Sequence, residues 1–273
     1  RLHDHDRGGD KGFDYVDPRG RVGDDAIAVG IIFCTSRVRR APGSLPAVLT
    51  DADLPALGLN FGQDVFSGPS TSRSPLAASF VDLDSDGLLT VAVNHFKSKG
   101  GSGSGDDADA SDGAGAFNGT RTRSAQALAA WLDRDPTGAG TENILILGDL
   151  NAYPRETPIT TLESAGYTNV LADDADYPGY TFVFDGQAGV LDYAFASAEL
   201  LDSITGAAEW HANADEADAL DYNLENGRDP EIFGADDSYR ASDHDAIIVG
   251  LTVSPVEITS LFSEDFSSGD LGG

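Results

Sequence analysis

Hydrophobic positions along this chain are spaced in two ways, and each spacing predicts a different element. Short apolar runs bounded by turn residues read as strands, and apolar positions three and four apart read as helices. Ile144, Leu145, Ile146 and Leu147 run between Asn143 and Gly148 and predict a fully buried strand. Further apolar, β-rich runs at 27–33, 79–83, 88–96, 181–184, 190–195 and 246–253 predict more strands. The 79–83 and 88–96 runs are joined by Asp84, Ser85, Asp86 and Gly87, and that Asp-Gly ending signals a hairpin, so the pair is expected to be antiparallel. From Arg121 onward, Ala125, Leu128, Ala129 and Leu132 fall at helical spacing and Pro136 closes the segment. Thr157 followed by Pro158, with Gly166 as the stop, predicts a second short helix. Strands dominate and helices intervene, which predicts an α/β fold with substantial antiparallel sheet.

Outside these elements the pattern changes character. Residues 1–25 are polar and rich in Gly and Asp, and 100–115 are Gly, Ser and Asp with nothing to bury, which reads as a mobile loop. The strand pattern stops at Val253, so residues 1–253 read as one domain and 254–273 as a linker or the start of a further module. No run approaches the roughly 20 apolar residues of a membrane span. A 40% hydrophobic composition supplies a core, while 17 Lys and Arg against 46 Asp and Glu give a net charge of −29. Such a surface repels polyanions at low salt, which argues against broad nucleic-acid contact unless cations concentrate locally or salt screens the field. The single cysteine, Cys34, excludes an internal disulfide and reads as a buried hydrophobe at the end of the 27–33 run. The chain has no Met and begins at Arg1, so it reads as a processed product or a fragment, and the lack of a signal peptide says nothing about compartment.

Candidate chemistry collects at strand ends. Asp82, Asp84, Asp86 and Gly87 match the opening of a calcium loop, but Val93 stands at the twelfth position where that loop needs Glu, so a turn is the better reading. Four other groups carry the polar residues: Asn94-His95-Phe96-Lys97-Ser98, Gly148-Asp149-Leu150-Asn151, Leu191-Asp192-Tyr193 and Ser242-Asp243-His244. Each alone reads as ordinary turn chemistry. Together, in this order, they read as a site, because the C-terminal ends of buried strands are where α/β folds place function. Asp149 and Asn151 face the same way if the chain stays extended, one supplying charge and the other a neutral donor and acceptor. Lys97, Lys99, Arg121 and Arg123 form a basic cluster near these motifs, either a clamp on a phosphate backbone or solvated surface charge.

The ordered set HFKS, GDLN, LDY and SDH resembles the endonuclease/exonuclease/phosphatase (DNase I-like) superfamily across roughly residues 13–253. Within it, NHFKSKG at 94–100, GDLNAY at 148–153, residues 23–30 and WHANADEADALDYN at 210–223 resemble the large secreted bacterial extracellular endonucleases. The resemblance implies a four-layer α/β/β/α sandwich with a metal-dependent phosphodiesterase site at one edge. It implies His244 as the base, Asp192 as its partner, Asp149 orienting water or binding metal, Asn151 donating to a phosphate oxygen and His95 across the phosphate as acid or donor. Asp149 and Asp243 are the implied metal ligands, for Mg²⁺ with Mn²⁺ or Ca²⁺ as alternatives. Lys97, Ser98, Asn118 and Arg123 are the implied substrate contacts. The implied protein is a secreted, monomeric endonuclease acting on DNA, with RNA second and no protein partner. Family members carry a strand-end Asn and a metal-binding Glu ahead of the matched region. Neither has an equivalent before Ile27, so the fold is expected to lack its N-terminal strand and helix, and the 273 residues alone to be inactive or nearly so. Gly113 and Ala116 stand in a stretch where subgroup members carry cysteines, and Ala246 replaces the usual Pro after SDHD. A phosphatase or phospholipid phosphodiesterase built on the same machinery, and a non-catalytic acidic cation-binding module, are the alternatives.

Overall fold

The structure, a computed structural model, describes residues 12–171, 179–220 and 240–255. The proposed linker or further module therefore lies almost wholly outside the described residues, as do positions 221–223 of the subgroup motif.

Two short strands, β1 (Phe13–Tyr15) and β2 (Ile32–Cys34), pair antiparallel at the start. β3 (Val38–Arg40) and β4 (Ala47–Val48) both pair with β5 (Leu76–Asp82), which forms the expected antiparallel hairpin with β6 (Leu88–His95). The turn between them is closed by Asp82, whose Oδ1 accepts the N–H groups of Asp84 at 2.7 Å and Ser85 at 3.0 Å. Helix α1 (Asn118–Leu132) then carries the chain across to β7 (Ile144–Asp149), which lies parallel to β6 as a helical crossover allows. After α2 (Thr157–Ser164) and β8 (Thr168–Asn169), the hairpin of β9 (Phe182–Phe184) and β10 (Gln187–Gly189) leads to β11 (Asp192–Ala196), antiparallel to both β7 and β8. The short α3 (Ala198–Leu201) precedes β12 (Ile204–Trp210), which pairs with β13 (Ala246–Leu251). The central sheet thus runs β3-β5-β6-β7-β11-β8, with β4 beside β5.

Strand alternation sorts the core into faces. Ile144 and Ile146 of β7 and Tyr193 and Phe195 of β11 pack against Leu128, Trp131 and Leu132 of α1 and Ile159 and Leu162 of α2. On the other face, Leu145 and Leu147 meet Leu200, Ile204 and Leu251, so β12 and β13 cover this end of the sheet. The other end of that face, with Leu76, Ala78, Phe80, Val91 and Val93, is covered by Val16, Val29, Ile31 and Phe33. Helices on one face and strands on the other give the mixed α/β sandwich that the sequence predicts.

Three expectations are corrected. The 27–33 run is strand only from Ile32, because Val29 and Ile31 pack their side chains on the central sheet without a ladder of their own, and only Phe33 beside them belongs to β2. Cys34 is half-buried rather than part of the core. The 100–115 segment is tied down: Asp107 accepts the Thr120 N–H at 2.6 Å and its hydroxyl at 2.7 Å, and Ala114, Ala116 and Phe117 are buried. Composition registers few apolar groups there, but the anchor is polar and comes from α1.

Candidate active site

Strand register builds the centre of the site. His95 ends β6, Asp149 ends β7 and Asp192 begins β11, and they are direct neighbours: His95 opposite Asp149, and Asp149 opposite Asp192. Alternation puts Asp149 on the face of Leu145 and Leu147, so the row lies on the sheet face toward β12 and β13 rather than toward the helices. Gly148 makes the close approach feasible. Its φ is +131°, and a Cβ there would stand 2.0 Å from the carbonyl oxygen of Asn94, so any side chain would push β7 off β6.

After β7 the chain turns instead of staying extended. Asn151 has a left-handed φ of 48°, a conformation Asn tolerates better than most residues. Its N–H donates to Asp149 Oδ1 at 2.7 Å, and its side-chain amide donates to Asp149 Oδ2 at 2.8 Å and to the Phe96 carbonyl at 3.1 Å. Both amide hydrogens are engaged. Asn151 therefore holds Asp149 in place here.

The fourth member arrives from the far end of the chain. His244 Nδ1 lies 2.6 Å from Asp192 Oδ2, and its ring packs against Phe182 with centroids 4.7 Å apart. Thr181 locks this arrangement. Its hydroxyl accepts the N–H groups of Leu191 at 3.0 Å and Asp192 at 3.1 Å, while its carbonyl accepts the Asp245 N–H at 2.7 Å. One residue thus joins the start of β11 to the segment that carries His244.

Charge is finely balanced in this cluster. Burial pushes the Asp149 carboxyl up, Asp192 beside it pushes further, and His244 and the Asn151 N–H oppose them, leaving it at about 7. For His244, burial lowers proton affinity, but the hydrogen bond and charge of Asp192, then Asp149 and Asp243, raise it to about 9. His95 is held down to about 4, first by burial and then by Arg73 and His244. At neutral pH His95 is therefore an uncharged imidazole, with Nε2 3.3 Å from Asp149 Oδ2.

Asp149, Asp192 and His244 place ligand atoms within 4.8 Å of one another, the one such group among the described residues. The donors fit a divalent cation: two adjacent, largely buried carboxylates supply the hard oxygen ligands such ions take, and their mutual repulsion is what a cation relieves. Asp243, expected as the second metal carboxylate, is outside this group. Asp192 is within it, because register sets it beside Asp149.

The expected basic clamp does not assemble. Arg121 is 0% exposed and donates to the carbonyls of Ala114, Ala116 and Lys97, with Glu156 3.8 Å away. Arg123 is buried against Asp106 and Asp107. Lys99 is bound to Glu156. Of the four, Lys97 alone stays near the strand ends without a carboxylate partner among the described residues, with Nζ 3.1 Å from Ser98 Oγ and 4.7 Å from the Phe117 ring centroid. Asn118 begins α1 and lines a cavity beside Tyr153 rather than the row itself.

Other contributors carry no motif signal. Arg73, paired with Asp25 at 3.1 Å, is a cation that acts on both His95 and Asp149. The first part of the 210–223 stretch also has a structural role. Asp245 accepts the N–H groups of Ala212, Asn213 and Ala214 and lies 3.0 Å from His211 Nδ1, so this segment wraps the residue next to His244.

Comparison with known proteins places the chain in a family. Residues 12–244 match the sequence profile of the Endonuclease/Exonuclease/phosphatase family. No curated protein sequence matches the chain. Among solved structures, a mannosyl-6-phosphatase from Bacteroides thetaiotaomicron aligns with a TM-score of 0.54 at 14% identity, covering 88% of this chain and 77% of that one. A family protein from Bacteroides vulgatus aligns at 0.52 and 12% identity, covering 89% and 76%. Another, from Bacteroides thetaiotaomicron, aligns at 0.50 and 14% identity, covering 73% of this chain and 65% of its own length. The chain also spans only 54% of the human Nocturnin catalytic domain. At such identities the structures speak to fold alone, but the profile runs through all four strand-end motifs, and the chain belongs to the endonuclease/exonuclease/phosphatase family.

Proposed function

We propose that the protein is a metal-dependent phosphodiesterase that hydrolyses nucleic acid, DNA foremost, by attack of a water activated by His244. The observation that carries this reading is the in-register row His95, Asp149, Asp192 with His244 bonded to its last member. Phosphodiester hydrolysis needs a deprotonated water, stabilised charge on the phosphate and a route for the leaving oxygen. Asp192 fixes the tautomer by accepting a hydrogen bond from His244 Nδ1–H, which leaves Nε2 to receive the proton from water. His95, uncharged, offers Nε2–H as a donor from the opposite end of the row. A divalent cation held by Asp149 and Asp192 would add Lewis-acid charge at a phosphate oxygen and lower the affinity of His244 for its proton. The motifs at 94–100 and 210–223 support an extracellular endonuclease within the family.

A second reading has its own support. A net charge of −29, with Arg121 and Arg123 buried in internal pairs, leaves little cationic surface for a polyanion. The same row serves a sugar-phosphate monoester, the kind of substrate named for the mannosyl-6-phosphatase relative. The protein is incubated with plasmid DNA, RNA and mannose 6-phosphate, with Mg²⁺ or Mn²⁺ and with a chelator. Nicked DNA that depends on metal and is lost in His244→Gln, by roughly 10²–10⁴-fold for a general base, supports the first reading. Intact DNA alongside released phosphate overturns it in favour of the second. An N-terminally extended protein assayed in parallel tests whether residues 1–273 alone are impaired, and equal rates would refute that expectation.

A further inference from the structure

A cavity of about 350 Å³ opens between the loop that precedes α1 and the loop that follows β7, lined by Asp112, Asn118, Tyr153, Arg155, Glu156 and Thr157. That volume lies at the small end of the roughly 300–1,000 Å³ range of ligand pockets. Three of its walls call for a ligand. Asn118 Oδ1 is buried and has no hydrogen-bond partner. Tyr153 is 37% exposed, and its ring is held from two sides: Lys99 Nζ lies 4.4 Å from the centroid, and Gly189 sits so close that a Cβ there would come within 2.5 Å of the ring edge. Arg155 is exposed and has no ion-pair partner among the described residues, in a chain where acids outnumber bases 46 to 17.

The cavity is continuous in sequence with both sides of the reacting centre. Tyr153 stands two residues beyond Asn151, which holds Asp149, and the opposite wall is the loop that begins at Lys97 and Ser98 and ends at α1. We infer that this cavity is a nucleotide subsite for the residue next to the scissile phosphate. Tyr153 takes the base or sugar against its ring, Asn118 accepts a hydrogen bond from an exocyclic amine or sugar hydroxyl, and Arg155 pairs with the flanking phosphate. This rests on the nucleic-acid reading above and adds a strand-positioning element to it, one that compensates for the missing clamp.

The test measures binding of a fluorescein-labelled single-stranded oligonucleotide by anisotropy, in a His244→Gln background with Mg²⁺ so that the strand is held without being cut. Tyr153→Ala and Asn118→Ala are each expected to raise Kd roughly 10-fold, and Arg155→Ala to lower the slope of log K against log salt by about one. Phe184→Ala removes a 70% exposed ring on the β9–β10 hairpin and is expected to leave Kd unchanged. Unchanged binding in the three cavity variants overturns the subsite, as does a loss confined to Phe184→Ala, while the nucleic-acid reading survives either result. Failure of the parent protein to bind the oligonucleotide overturns the nucleic-acid reading and the subsite with it.

Discussion

Replacing Asp192 with Asn keeps the shape of the His244 contact and removes its charge, so it isolates the electrostatic part of the site. The amide oxygen can still accept from His244 Nδ1, now 2.6 Å from a carboxylate oxygen. In the cation-free protein His244 is raised from 6.5 to about 9: burial works against the proton, and Asp192 more than offsets it. At about 1.4 kcal/mol per pH unit, that shift corresponds to roughly 3 kcal/mol of stability tied to the protonated His244, with Asp192 the largest favourable contributor ahead of Asp149 and Asp243. Side-chain exposures of 22% for His244 and 16% for Asp192 leave the pair only partly screened. The folded-state value lies above the unfolded one, so the contribution is fully present below pH 6.5 and is lost as the pH rises through about 9. Asp149 reinforces the trend at the alkaline end, because its raised value partly reflects repulsion from Asp192, which the Asn variant relieves. Urea unfolding in chelator should therefore show Asp192→Asn about 3 kcal/mol less stable near pH 6 and no less stable than the parent near pH 10. NMR titration of the His244 ring should show its midpoint falling well below about 9, because burial then works against the proton with only Asp149 and Asp243 left to oppose it. A stability loss of the same size at both pH values, or a His244 midpoint that stays near 9, would refute this account.

Two further substitutions test how the site is held. Gly148→Ala should destabilise the fold by about 3 kcal/mol or more, since the new Cβ would meet the Asn94 carbonyl oxygen at a φ that L residues rarely adopt; an unchanged Tm would rule this out. Arg121→Met should cost roughly 3–5 kcal/mol, because it strands the carbonyls of Ala114 and Ala116 and leaves Glu156 with Lys99 alone. Limited proteolysis should then cut within 100–115, and adding Glu156→Gln should recover part of the lost stability; resistance equal to the parent would show that the loop is anchored elsewhere.

Local pattern determined more of this protein than its odd composition would imply. The β5–β6 hairpin, α1, the stop of α2 at Gly166 and the buried strand ending in Asp149 follow from apolar spacing and turn residues that act over a few positions. The strand-end motifs were legible as a set because each is a short polar interruption directly after or before an apolar run. What sequence spacing could not supply is adjacency between residues far apart in the chain. Asp149 meets Asp192 only because β7 and β11 pair in one register, and a one-residue slip would turn either side chain to the opposite face. The partners of each cation were equally out of reach. Arg121 and Arg123 have the composition of a surface clamp, yet their guanidinium groups are spent inside, on loop carbonyls and on Asp106 and Asp107. Sequence therefore named the candidate groups, while tertiary structure decided which of them touch, which carboxylates lie close enough to share a cation and which charges remain exposed. The physical reason is that electrostatic and hydrogen-bond energies depend on distances of a few ångströms, and only the packed sheet sets those distances.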